Sequence, residues 1–373
     1  MLASLVACSG GGAGPSDAAP DGPVALDAGD DAGPIIVDTA SVYLDDCRAF
    51  NRRCEGADAA DPRCGACQYR ARYRGDVCTA AAPCDDLFLY WSAFDCDTPA
   101  LIDATTALLA THPRTVILCA QPLYPGEILP TSLGAPERDQ RVVSAALGRL
   151  RPGGDLGVWS GANVLLGGCS MGATRYPVIA ARYAEDAGWL GTGVNGACLS
   201  DGVVDLRAQD AFVGGGTGPS CATRHRRVAH AYTRAAPTAA HACSGSDGGQ
   251  CACDPDHAAL TYAGDCAGGD CVEFDSIVGR GAGGPAFAAG VDATAFAVPH
   301  WKLLTEGDGW HDDLANRCER DVVPAGPFTD LCALLDADPD HDCTVVHLPA
   351  APHCTYYNTH LGEVCLDWFA TLP

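Results

Sequence analysis

Lysine is almost missing from this chain. Lys302 stands alone against 22 arginines, and methionine occurs only at Met1 and Met171. Charged residues make up 19% and aromatics 7%, and the acidic side outweighs the basic by 47 to 23, a formal net charge of -24. A chain so poor in basic residues is a poor partner for nucleic acid, whose phosphates need Lys and Arg, so nucleic acid is excluded as a partner. Long apolar runs are lacking too, and no stretch is long enough for a membrane helix. The Ala/Gly/Asp/Arg-rich composition fits a GC-rich bacterial coding bias. With 373 residues and 47% hydrophobic content the chain can bury a large core, and has room for an appendage beside it.

Cysteine is abundant: 22 residues, all but Cys8 spread from Cys47 to Cys365. So many thiols imply disulfides formed in an oxidising compartment, with a connectivity that sequence does not determine. Zinc is the rival reading, because Cys64-Gly65-Ala66-Cys67 has ligand spacing. Cys251-Ala252-Cys253 does not complete a zinc ribbon, and no histidine pair at ligand spacing follows, so no metal is expected. At the N-terminus, Leu5-Val6-Ala7-Cys8 resembles a bacterial lipobox, which implies lipidation of Cys8 after removal of residues 1–7 as a partial signal peptide. Residues 8–40 then read as a disordered tether of Gly, Ala, Pro and Asp. Together these imply an extracytoplasmic lipoprotein, held at the outer membrane or cell surface through a lipid anchor.

Residues 41–84 carry Cys47, Cys54, Cys64, Cys67, Cys78 and Cys84 and read as a small disulfide-stapled segment. From 85 the pattern alternates. Strands are expected at 87–91, 115–120, 163–168 and 193–200, and helices at 99–112, 138–150 and 173–187. Such alternation predicts an α/β fold, a mainly parallel sheet with helices on both faces. Residues 206–295 break the pattern with Gly-rich turns and six cysteines and read as a cap-like insertion. Strands resume at 300–306 and 343–349, and 363–372 forms a closing helix. The core is thus expected to comprise 85–205 and 296–373.

Chemistry concentrates at Gly168-Cys169-Ser170-Met171-Gly172. A GxSxG string alone is weak among 44 glycines, but here an apolar strand precedes it and a helix follows. A strand-to-helix turn of this kind, the nucleophile elbow of α/β-hydrolases, needs small flanking residues and projects the serine hydroxyl above the sheet edge. It sets the Met171 N–H at a helix start, facing a developing oxyanion. The loop after the 87–91 strand points to Ser92 as the second oxyanion donor. A serine needs a base and an orienting acid, which in this fold follow it in the order acid, then histidine. His353, on the loop after the last strand, is the favoured base; His360 is the runner-up, and His347, inside the strand, reads as a packed side chain. Asp308 is the favoured acid, with Asp312, Glu306, Asp201 and Asp205 as competitors.

VLLGGCSMG followed by GACLSDGVVD resembles the pectinacetylesterase and Notum-type carboxylesterases, as do Pro352-His353-Cys354 and Leu366-Asp367-Trp368-Phe369. That resemblance implies a serine esterase with disulfides near its site. Met171 and Ala173 differ from that family's elbow, and its glycine-rich oxyanion loop is absent. Two other strings fall short of a site. The acidic run 336–342 lacks the glycine and glutamate of a calcium loop, and Gly214–Gly218 lacks the lysine of a P-loop. The expectation is hydrolysis of a small-molecule or polymer carboxylic ester through Ser170, His353 and Asp308, without cofactor. Amide hydrolysis on the same scaffold, or a non-catalytic surface-binding role, are the alternatives.

Overall fold

The computed structural model describes residues 34–44, 66–91, 96–121, 136–170, 172–173, 193–202, 278–281, 284–287, 293–306, 325–348, 351 and 354–373. In chain order its elements are β1 (Ile36–Asp38), β2 (Val42–Leu44), β3 (Cys67–Arg74), β4 (Cys84–Trp91), α1 (Pro99–Thr111), β5 (Thr115–Gln121), α2 (Pro136–Leu150) and β6 (Trp159–Cys169). After them come β7 (Gly196–Ser200), β8 (Val278–Gly281), β9 (Gly284–Phe287), β10 (His300–Glu306), α3 (Ala325–Leu335), β11 (Asp342–Leu348) and α4 (Thr355–Thr359). A π turn over Gly362–Leu366 then runs into α5 (Asp367–Phe369).

Nine strands make one sheet in the order β1-β3-β5-β4-β6-β7-β10-β11, with β2 also on β3. The pairs that involve β3 are antiparallel. All pairs from β5 to β11 are parallel. The expected α/β class is therefore observed. Parallel strands covered on both faces read as continuous apolar runs, and β5 (TVILCAQ) is buried at every position. The pleat divides β4 between two cores. Leu87, Leu89 and Trp91 join Val143, Leu147, Phe328 and Leu331 of α2 and α3. Phe88 and Tyr90 join Leu108 and Leu109 of α1 with Tyr357, Val364 and Phe369 of the closing segment. That segment is pinned under the sheet by the Cys198–Cys365 disulfide. It is held again by Lys302, whose ammonium donates to the Val364 carbonyl at 2.8 Å.

Strands extend further toward the N-terminus than the patterning suggested. Ile36–Asp38, within the expected tether, pairs with β3, and β3 and the start of β4 lie inside the segment read as a separate cysteine-rich unit. In β3, Cys67, Tyr69, Ala71 and Tyr73 face the core, and Gln68, Arg70 and Arg72 face the other way. Three charges in eight residues conceal that alternation. They are tolerated because Arg70 grips Asp38 through Nε and Nη2 (2.7 and 2.6 Å) and also donates to Asp97. Arg72 donates to the Ile102 carbonyl and to Thr105 and Thr106 of α1. The acidic run 336–342 is the turn between α3 and β11, where Asp336 accepts from Cys343 N and Asp338 from Asp340 N.

Among the described residues, disulfides join Cys78 to Cys84, Cys96 to Cys119, Cys169 to Cys354, Cys198 to Cys365 and Cys332 to Cys343. Cys67 is disulfide-bonded as well, which removes it as a zinc ligand. Such bonding is consistent with an extracytoplasmic location. Among the described residues no helix is long and apolar enough to cross a membrane. Cys8, most of the expected tether, residues 174–187 of the expected helix and most of the insertion 206–295 lie outside the described residues.

Burial raises the pKa of Asp38, but the hydrogen bonds and charge of Arg70, with Arg72, outweigh it and hold the carboxyl below its usual value. A depressed folded-state pKa contributes stability that is present above the unfolded value of about 4 and lost as pH falls through the folded one. Asp38→Asn should lower the unfolding free energy at pH 7 by about 1–3 kcal/mol. In urea titrations the gap between variant and wild type should close as pH drops below about 4. A gap constant with pH would mean that the charge is not what matters.

Candidate active site

The site begins with register. Trp91 lies opposite Gly168, Cys169 opposite Ser200, and Ser200 opposite Leu304, so β4, β6 and β7 end close to one level and β10 runs two residues further, to Glu306. At that level β6 turns sharply. Ser170 has φ 57, the left-handed region that non-glycine residues rarely occupy, and its N–H donates to the Ser200 carbonyl at 2.9 Å. Gly168 and Gly172 make the turn possible by close approach. A Cβ on Gly172 would sit 2.0 Å from the Trp91 carbonyl oxygen, and one on Gly168 would sit 2.7 Å from the Gly172 carbonyl carbon. Local sequence therefore dictates the local shape: strand, tight turn, then the start of a helix at 172–173.

Around the turn lies a polar scaffold that is almost entirely buried. Asp201, just past β7, also has a positive φ, and it is 2% exposed. Its Oδ1 accepts from Glu306 N at 2.7 Å and its Oδ2 from Cys354 N at 3.1 Å. Glu306, 1% exposed at the end of β10, accepts from the Ser200 hydroxyl and Tyr357 N, both 2.9 Å, and from Tyr356 N at 2.8 Å. Burial raises its pKa and nearby Asp201 adds to the rise, against the three hydrogen bonds, which lower it. The Tyr357 hydroxyl bridges β6 and β7, accepting from Gly168 N and donating to the Cys198 carbonyl, each at 2.8 Å. Burial is the main reason that its pKa lies well above the ordinary tyrosine value, so it stays a donor. The Cys169–Cys354 disulfide joins the residue before Ser170 to the residue after His353.

These contacts sort the site residues expected from sequence. Ser170 occupies the elbow. Glu306, weighed as the acid, has its carboxylate taken up by Ser200 and the start of α4. Asp201 ties three chain segments together at the elbow's level. His360 stacks on Tyr356 (centroids 4.2 Å apart) and donates from Nδ1 to that residue's carbonyl. His347 sits within β11 beside Thr305, as expected, but is exposed rather than packed, because β11 ends the order of the described strands. His353, Asp308, Asp312, Asp205, Met171 and Ser92 lie outside the described residues. Patterning missed Tyr357 and the paired roles of Asp201 and Glu306, since no motif announces a bridge between segments so distant in sequence.

A metal does not fit here. The ligand atoms of Cys169, Asp201 and Cys354 lie within 4.8 Å of one another, but the two sulfurs are bonded to each other and offer no thiolate. An open groove of about 830 Å3 between α1 and α4, lined by Tyr90, Leu101, Leu108 and Asn358, does not include Ser170.

No family model and no curated protein matches the chain, so the resemblance to pectinacetylesterase and Notum-type carboxylesterases rests on its short motifs alone. Solved structures similar to it include Est1E from Butyrivibrio proteoclasticus (9% identity, 88% of this chain and 97% of that one, TM-score 0.42). Brefeldin A esterase, a bacterial homologue of human hormone-sensitive lipase, is similar at 11% identity over 93% of this chain and 76% of that one (TM-score 0.45). An S-formylglutathione hydrolase from Agrobacterium tumefaciens is similar at 8% identity over 91% of this chain and 95% of that one (TM-score 0.45). Likeness at this level assigns neither a residue nor a substrate.

The packing at the elbow makes a direct prediction. Gly172→Ala, which sets a methyl group against a backbone oxygen, should lower the thermal midpoint and weaken labelling of Ser170 by a fluorophosphonate. Gly148→Ala, at a helical glycine with nothing within 4 Å of its added Cβ, should do neither. Equal labelling in the two variants would show that the elbow tolerates the methyl group.

Proposed function

We propose that this protein hydrolyses a carboxylic ester by acyl transfer through Ser170. The observation that carries the reading is the geometry of that serine. It sits at φ 57 on a turn between strand and helix, flanked by two glycines that admit no side chain, at the common end of parallel strands. In this reading Ser170 Oγ attacks the ester carbonyl while His353 accepts its proton. The tetrahedral oxyanion is met by the N–H groups of Met171 and Ser92. Collapse expels the alcohol, which takes the proton back from His353, and water then resolves the acyl-enzyme by the same steps in reverse order of roles. Asp308 holds the histidine tautomer. Support for His353 comes from its place in the chain, next to Cys354, which the disulfide and Asp201 hold at the elbow. No cofactor takes part.

The disulfides among the described residues support an extracytoplasmic setting for this chemistry, and lipid attachment at Cys8 belongs to the same reading. Incorporation of labelled fatty acid that persists in Cys8→Ser would rule that attachment out.

Short p-nitrophenyl esters are the first substrates to test. Ser170→Ala should lower kcat/KM by about 10³-fold or more, and a fluorophosphonate should label wild type at Ser170 alone. The rate should fall below about pH 6.5 as the base is protonated. Turnover that survives Ser170→Ala would sink the assignment. Turnover of peptides but not esters would move the reaction to amide bonds.

A further inference from the structure

The buried carboxylate of Glu306 has no part in the acyl-transfer scheme, yet it lies at the centre of the site's scaffold. Its two oxygens accept three hydrogen bonds, from the Ser200 hydroxyl and from the backbone of Tyr356 and Tyr357. The donors come from two segments, the end of β7 and the start of α4. Ser200 is the residue whose carbonyl receives the Ser170 N–H. Tyr356 and Tyr357 lie in the first turn of α4, which follows Cys354, and Tyr357 reaches back to bridge Gly168 and Cys198. The backbone N–H of Glu306 is itself held by Asp201, which also binds Cys354 N.

We infer that Glu306 is a positioning residue for the reaction at Ser170: its carboxylate fixes the distance between the nucleophile's turn and the chain segment that follows the proposed base. This rests on the assignment of Ser170 as nucleophile and His353 as base. The reasoning is geometric. Two backbone N–H groups and a hydroxyl converge on one side chain, and both N–H groups are obligate donors. A carboxylate accepts all of them at once. A glutamine cannot, because in either orientation its amide nitrogen meets a backbone N–H, on Tyr356 or on Tyr357. Such a mismatch between buried donors pushes the start of α4 outward, and the segment carrying the base moves with it. A displacement of about 1 Å in a reacting group can cost about 10²-fold in rate.

Glu306 also differs from a triad acid in its consequences. A carboxylate that orients the base and stabilises its protonated form shifts the acid limb of the pH–rate profile when removed. A positioning carboxylate lowers the rate and leaves that limb in place. Among the described residues, the titratable groups that act on it are Asp201 and Tyr357.

The test is Glu306→Gln in the full chain with its disulfides intact. Competent serines are first counted by end-point titration with a fluorophosphonate. Turnover of a p-nitrophenyl ester is then measured per titrated serine. We expect kcat per titrated serine to fall about ten- to a hundredfold, with KM within threefold of wild type and the acid limb of the profile unmoved. A purely architectural role would lower the number of titratable serines and leave the turnover of each one unchanged, which would overturn the inference. A shifted acid limb would overturn it too, by making Glu306 the acid of the triad. Should Glu306→Gln not fold, Ser200→Ala deletes one of the three donors while keeping the backbone, and the same split between kcat and KM should appear at smaller size; an unchanged kcat there would also count against the role. Ser170→Ala is measured alongside. Full activity in that variant would sink the reaction itself, whereas wild-type turnover per serine in Glu306→Gln beside an inactive Ser170→Ala would remove only the role of Glu306.

Discussion

Everything at the candidate site depends on β6 being held in parallel register between β4 and β7. That register sets Trp91 opposite Gly168, Cys169 opposite Ser200 and Ser200 opposite Leu304, and only with it can Gly172 lie against the Trp91 carbonyl. A slip by one residue would exchange the two buried faces of β6, sending Val164 and Leu166 into the core that Leu165 and Cys169 fill and the reverse, so the packing of both cores enforces the register. The strain at Ser170 is affordable because the surrounding strands over-determine its position.

Beyond the register, the site is closed by bonds between segments far apart in the chain. The Cys169–Cys354 and Cys198–Cys365 disulfides span 185 and 167 residues. Cross-links across long separations restrict the unfolded chain most, in the chain-entropy picture. They act at the two ends of the same short region: one at the elbow, the other beneath β7 where the closing segment packs. Between them Tyr357, Asp201 and Glu306 satisfy the buried backbone groups that a loop crossing the end of a sheet would otherwise leave unpaired. Oxidation and hydrogen bonding thus hold the same segment from two sides.

Several parts of this arrangement were legible from residues alone. The runs TVILCA and NVLLGG had to be buried strands, and the glycines around Ser170 could be read as an elbow, because both signals are local. β3 was not legible, since its alternation is carried partly by arginines. Their burial depends on Asp38 and on Asp97, residues that no periodicity connects to β3. The three-residue β1 is too short to show a period at all. His347 was read as packed from its place in a strand, but whether a strand has a neighbour on each side is a property of the sheet. Glu306 looked like one of several equivalent loop acids. What distinguishes it is the set of donors facing it, and these come from β7 and α4.

What the sequence by itself determined is therefore the α/β class, the buried strands of the sheet centre and the turn at Ser170. These follow from short-range patterns of apolar residues and glycine. Tertiary structure alone decided which cysteines pair, which carboxylate becomes scaffold, and which tyrosine bridges β6 to β7. The physical reason is that hydrogen bonds and disulfides need partners at a defined distance in space. Patterning along a chain reports burial and backbone shape, and it does not report which distant atoms will meet.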